Sequence, residues 1–80
     1  MQTIFVLVKC ELGRAYEVAD AAVQSIEEVS EVYSISGQHD LLMKFHLPAG
    51  ADIGRFVTSR VQTLDGVKDT FTLITFKAFS

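Results

Sequence analysis

Val29-Ser30-Glu31-Val32-Tyr33-Ser34-Ile35 and Val67-Lys68-Asp69-Thr70-Phe71-Thr72-Leu73 are two copies of one pattern. Each copy follows an amphipathic stretch and leads into a strand in the same way. Before the first copy, Arg14 to Glu28 carries Ala15, Val18, Ala19, Ala22, Val23 and Ile26 at helical spacing. Upstream of that helix, Thr3 to Lys9 is a continuous apolar, β-branched run, expected to be a strand buried on both faces. Val32 to Ser36 alternates in period two, and Gly37-Gln38-His39 marks a hairpin. Leu41 to Leu47 follows as a strand, with Leu41, Met43, Phe45 and Leu47 on one face and Leu42, Lys44 and His46 on the other. Pro48-Ala49-Gly50 ends it. Asp52 is placed to cap a helix bearing Ile53, Phe56, Val57, Val61 and Leu64, and Asp65-Gly66 terminates that helix. Thr70 to Phe79 is expected to be a long final strand. Two βαβ halves of similar length predict an α+β, ferredoxin-like βαββαβ domain over residues 1–80. Its antiparallel sheet is expected in the strand order 4-1-3-2, with both helices on one face. Two copies are too few for a solenoid.

Composition narrows the function classes. Eighty residues allow one domain. Hydrophobic residues make up 49% and charged residues 21%, which is more apolar surface than one small core absorbs. The net charge is −3, and the basic residues Lys9, Arg14, Lys44, Arg55, Arg60, Lys68 and Lys77 are scattered without forming a stripe. Direct nucleic-acid binding is therefore not expected. Cys10 is the single cysteine, so no internal disulfide is possible and a reducing, cytoplasmic compartment is expected. The apolar run Ile4 to Val8 is too short to cross a bilayer or to serve as a cleaved leader, so no membrane role is expected.

The predicted fold leaves one sheet face without helices. The outer strands carry large apolar residues on both sides, Phe5 and Leu7 against Ile4, Val6 and Val8, then Phe71 and Leu73 against Ile74 and Phe76. A two-fold dimer packed sheet against sheet would cover such a face. The topology also brings Lys9 to Gly13, the Gly37–Asp40 hairpin, Lys68 to Thr72 and the start of the first helix to one edge. A small zwitterion could place its carboxylate on backbone N–H groups there and its ammonium on Asp40.

Two segments carry a family resemblance. Ser34-Ile35-Ser36-Gly37-Gln38-His39-Asp40-Leu41-Leu42-Met43-Lys44 and Leu64-Asp65-Gly66-Val67-Lys68-Asp69-Thr70-Phe71-Thr72-Leu73-Ile74-Thr75 resemble the effector-binding domain of the leucine-responsive and asparagine-operon regulators, the Lrp/AsnC family. That family shows a Thr-Gly-x-Tyr-Asp turn before an apolar strand, then a Leu-x-Gly-Val step and a Thr-rich last strand. The resemblance implies a βαββαβ fold, dimers joined through their sheets, and dimers assembled into rings, often octamers. It also implies a small effector, usually an amino acid, held between dimers at the glycine turn and the start of the last strand. The implied ligand-binding residues are Gly37, Asp40, Thr70 and Thr72, together with His39, which stands where a Tyr is usual; Gln38 is expected to join Gly37 in offering a backbone N–H to a carboxylate. The family's full-length regulators place a helix-turn-helix before this domain. Nothing precedes Met1 in this sequence, so any effect on transcription of amino-acid metabolism is expected to be indirect, through full-length regulators as partners.

Competing chemistries find weaker support. His39 and His46 would lie roughly 20 Å apart along one extended strand and on opposite faces, so a shared metal ion is not expected. Cys10 follows Lys9, which could lower a thiol pKa, yet a lone cysteine at a strand end is ordinarily a small buried hydrophobe. His39 beside Asp40 could form an acid–base pair, but sequence neighbours tend to point apart. Gly37 can be read simply as a positive-φ turn residue, and Thr70 and Thr72 as ordinary strand residues. A dimeric α/β-barrel enzyme of the monooxygenase type uses the same fold, with a cavity lined by His, Asn or Trp. This chain has no Trp or Asn, so no enzymatic activity and no cofactor are expected. A module that only co-assembles with full-length regulators is the remaining alternative.

Overall fold

The computed structural model describes residues 1–79. Its elements are β1 (Gln2–Cys10), α1 (Ala15–Ser25), β2 (Val29–Ser34), β3 (Leu41–Leu47), α2 (Ile53–Phe56, continued by a π-helical turn Val57–Val61) and β4 (Val67–Ile74). The four strands form one antiparallel sheet in the order β2-β3-β1-β4, which is the expected order read from the other edge.

The core follows from strand alternation. Ile4, Val6 and Val8 on β1 stand opposite Phe45, Met43 and Leu41 on β3, and all six are buried on the helix side. The helices close this layer with Val18 and Ala22 from α1, Ile26 just after it, and Val57 and Val61 from α2. Phe45 meets Phe56 edge to face with ring centroids 5.1 Å apart. The other side of β1 is not buried within the chain. Phe5 and Leu7 are partly buried there, so within one chain β1 is fully buried on one face alone.

Several element ends differ from the sequence reading. α1 stops at Ser25 and does not run to Glu28. Ile26 turns extended while its N–H still bonds the Ala22 carbonyl, and its side chain drops into the core. Glu27 and Glu28 follow, where negative charge opposes the helix dipole. Asp52 caps α2 as expected, its carboxylate accepting from the Arg55 N–H at 3.0 Å. Past Phe56 the helix widens, and the Gln62 N–H reaches back five residues to the Val57 carbonyl. The hydroxyls of Thr58, Ser59 and Thr63 each bond a carbonyl four residues back, a competition that loosens a helix. β2 begins earlier than expected, at Val29, and ends at Ser34. β4 spans Val67–Ile74 where Thr70 to Phe79 was expected. Its partner β1 begins at Gln2, and Ile4–Ile74 is the last backbone pair. Only side chains continue the pairing: Gln2 Nε2 donates to the Thr75 carbonyl and Thr75 Oγ1 to the Thr3 carbonyl. Phe76 and Phe79 are left 85% and 91% exposed. Among the described residues no helix is long and apolar enough to cross a membrane.

Candidate functional site

The edge holding the end of β1, the β2–β3 turn and the start of β4 is organised around Asp40. The Ile35 N–H donates to the Asp40 carbonyl at 3.0 Å and closes the hairpin. The Asp40 N–H donates to the Val8 carbonyl at 2.8 Å. The Asp40 carboxylate accepts from the Cys10 N–H, also at 2.8 Å. One residue therefore stitches the start of β3 to the end of β1. Gly37, at φ 109°, supplies the turn conformation that a side-chain-bearing residue rarely adopts.

Cys10 is buried at this stitch. Burial pushes its thiol pKa above the ordinary value, and the Asp40 carboxylate adds to the rise, while Lys9 acts in the opposite direction without reversing it. The sulfur is thus held as a neutral thiol and not primed as a nucleophile.

A cleft of about 420 Å³ opens beside Asp40, bounded by Lys9, Cys10, Glu11, Arg14 and Lys68. Its far wall is the loop from β1 to α1. That loop is pinned where the Glu11 N–H donates to the Gly66 carbonyl at 2.8 Å. Arg14 is fixed by Glu17 at 2.8 Å and Asp65 at 2.9 Å. Lys68 reaches the cleft through a β-bulge: Lys9 pairs with Asp69 and Cys10 with Val67, so Lys68 has no opposite number. Bulges re-aim side chains in this manner. The repeat noted in the sequence extends to this irregularity, since Ser30 is skipped at the matching place between Val29 and Glu31.

Of the sequence-derived site residues, only Asp40 lines this cleft. Gln38 is exposed at the turn. His39 turns toward the helix-free face, its ring centroid 6.5 Å from that of Phe71. Thr70 and Thr72 pair with Val8 and Val6, so they point to the helix side, opposite to Phe71. Thr70 Oγ1 accepts from Gln62 Nε2 at 2.8 Å, and Thr72 borders a second, apolar hollow of about 300 Å³ with Ile53, Val57 and Ile74. One chain thus does not gather all six residues. The cleft walls Lys9, Cys10, Glu11, Arg14 and Lys68 were not singled out from sequence as ligand contacts. The topology, which brings Lys9 to Gly13 and Lys68 to this edge, was the available signal.

The helix-free face adjoins the cleft through Lys9. Register places Phe71, Leu7, Leu42 and Tyr33 in one row across all four strands. Leu73, Phe5, Lys44 and Glu31 form the next row. Phe71 is 55% exposed and Tyr33 52%. Lys44 Nζ lies 5.9 Å from the Phe5 ring centroid and 4.0 Å from the Glu31 carboxylate, and the Tyr33 hydroxyl also donates to Glu31. At the far end Thr3 Oγ1 and His46 Nδ1 are 3.1 Å apart. Among the described residues no three His, Cys, Asp or Glu side chains converge as a metal site.

The split βαβ sheet, with one bare apolar face and a polar edge cleft, places the chain among small α+β domains of ferredoxin-like topology. The chain belongs to the Lrp/AsnC ligand binding domain family, whose model matches residues 3–80. It is 32% identical over 73 residues to the HTH-type transcriptional regulator FL11 of Pyrococcus furiosus, covering 91% of this chain and 47% of that protein. It is 32% identical over 76 residues to the leucine-responsive regulatory protein of Salmonella typhimurium, covering 90% of this chain and 46% of that one. The chain thus spans about half the length of these relatives. Among solved structures, TTHA0845 from Thermus thermophilus superposes with a TM-score of 0.88 at 32% identity, covering 100% of this chain and 99% of that one. The curated relatives are named as transcriptional or leucine-responsive regulators.

Proposed function

We propose that this chain is an effector-binding and assembly module that pairs through its bare sheet face, builds rings from those dimers, and binds a small molecule of the amino-acid class at the Asp40 edge. Its effect on transcription is exerted through the proteins it assembles with, and it turns over no substrate. The observation that carries the reading is the apolar row Phe71–Leu7–Leu42–Tyr33, which neighbours Lys9 on the same face of β1, with Lys9 in turn bordering the Asp40 cleft. An exposed apolar surface of this extent favours a partner, and a second copy offers the same surface in return. The leucine response in the name of the Salmonella relative supports an amino acid as ligand.

The ligand site is completed between chains. Gly37 and Gln38 offer backbone N–H groups to a carboxylate and His39 borders the side-chain end. Asp40 keeps the turn in place and presents its remaining oxygen to an ammonium. Thr70 and Thr72, which face away from their own turn, serve the site of a neighbouring dimer. Binding and ring assembly are then coupled, because a ligand that prefers the ring stabilises it by mass action. A thermal-shift screen of the twenty amino acids, followed by light scattering with each hit, tests this. At least one compound should raise the melting temperature and the assembled mass together. If none does, the chain acts only as an assembly partner.

A further inference from the structure

We propose that the cleft beside Asp40 selects a small dicarboxylate, a refinement that rests on the cleft being the effector site. Two ammonium groups border it, Lys9 from β1 and Lys68 from the β4 bulge. Among the described residues neither makes an ion pair. The third cation, Arg14, is already held by Glu17 and Asp65. On the acidic side, Asp40 has one oxygen committed to the Cys10 N–H. A neutral amino acid brings one carboxylate and would leave the second lysine unmatched. A ligand with two carboxylates satisfies both lysines, and an α-ammonium, where the ligand has one, faces Asp40 and Glu11.

The bulge adds a second reason. Skipping Lys68 interrupts the β1–β4 ladder beside the cleft, and it frees this side chain from the alternation that would otherwise fix it to one sheet face. The corresponding bulge residue in the first half is Ser30, which carries no charge. The chain therefore has a cationic bulge at the cleft and an uncharged one away from it. A cleft of about 420 Å³ is also ample for a four- or five-carbon diacid.

The test is isothermal titration calorimetry on the full chain with aspartate, glutamate, succinate, glutarate, leucine and methionine. At least one diacid should bind more tightly than leucine and methionine. Lys68→Gln, a change at an exposed bulge, should weaken that diacid by about tenfold or more, and weaken it more than it weakens leucine or methionine. Lys9→Gln provides a second arm with the same expected direction. Aspartate or glutamate binding above succinate and glutarate identifies an acidic amino acid, and parity identifies a simple diacid; either supports the proposal. Leucine or methionine binding as tightly as any diacid overturns it, as does a diacid affinity indifferent to both lysine substitutions; both results leave the effector-site reading intact. Failure of all six compounds to bind overturns the dicarboxylate proposal. The twenty-amino-acid screen then decides separately whether the cleft is an effector site.

Discussion

The Asp40 carboxylate accepts the Cys10 backbone N–H at 2.8 Å, tying the turn between β2 and β3 to the last residue of β1. A charged acceptor at a part-buried N–H contributes more than a neutral one. Asp40→Ala leaves that N–H without its partner and should destabilise the fold by about 1–3 kcal/mol. Asp40→Asn retains an acceptor and should lose less. Urea unfolding of the two variants checks the order, and equal losses would show that the bond does not hold the edge.

The thiol of Cys10 should titrate on the alkaline side of its ordinary value, from burial first and the Asp40 charge second. Because the folded value is raised above the unfolded one, the neutral thiol's contribution to stability is fully present below the unfolded pKa. It is lost as the pH rises through the folded value. Stability measured by urea unfolding should therefore fall on the alkaline side, and Cys10→Ser should flatten that fall. Reaction with a thiol reagent at neutral pH should be slow, and faster in Asp40→Asn, where one cause of the raised pKa is gone.

Gly66 and Gly37 both have positive φ, 97° and 109°, but only Gly66 is crowded. A Cβ there would lie 2.9 Å from Val18 Cγ2 and 3.3 Å from Arg14 Cζ, whereas one on Gly37 meets nothing within 4 Å. Gly37→Ala should cost about 1 kcal/mol from backbone conformation alone. Gly66→Ala should cost more, about 2–4 kcal/mol, because core packing against α1 must also shift. Thermal or urea unfolding ranks the pair, and a larger loss at Gly37 would contradict the crowding at Gly66.

Much of this was legible in the sequence, for physical reasons that can be named. Period-two alternation in Leu41 to Leu47 and helical spacing from Ala15 to Ile26 reflect burial on one face, which sequence records directly. The Asp52 cap and the Gly66 stop are local chemistry. Strand ends depend on partners far along the chain: the β1–β4 ladder ends at Ile4–Ile74, beyond which only side-chain hydrogen bonds of Gln2 and Thr75 join the two segments, and nothing in Thr75-Phe76-Lys77 announces it. Topology brought Asp40, Lys9 and Lys68 to one edge, as expected. It could not tell that a bulge sends Lys68 into the cleft, or that Thr70 and His39 fall on opposite sides of the sheet. A single skipped residue reverses such assignments.

The row Phe71–Leu7–Leu42–Tyr33 is central to the proposed function as a self-association face. Sedimentation velocity of the wild-type chain and of Phe71→Glu at micromolar concentration tests that role most directly. Phe71 is more than half exposed, so the substitution should leave the monomer's fold intact by circular dichroism. Wild type should sediment as a dimer or larger assembly, and Phe71→Glu should shift toward monomer. A wild-type chain that sediments as a folded monomer would contradict the claim.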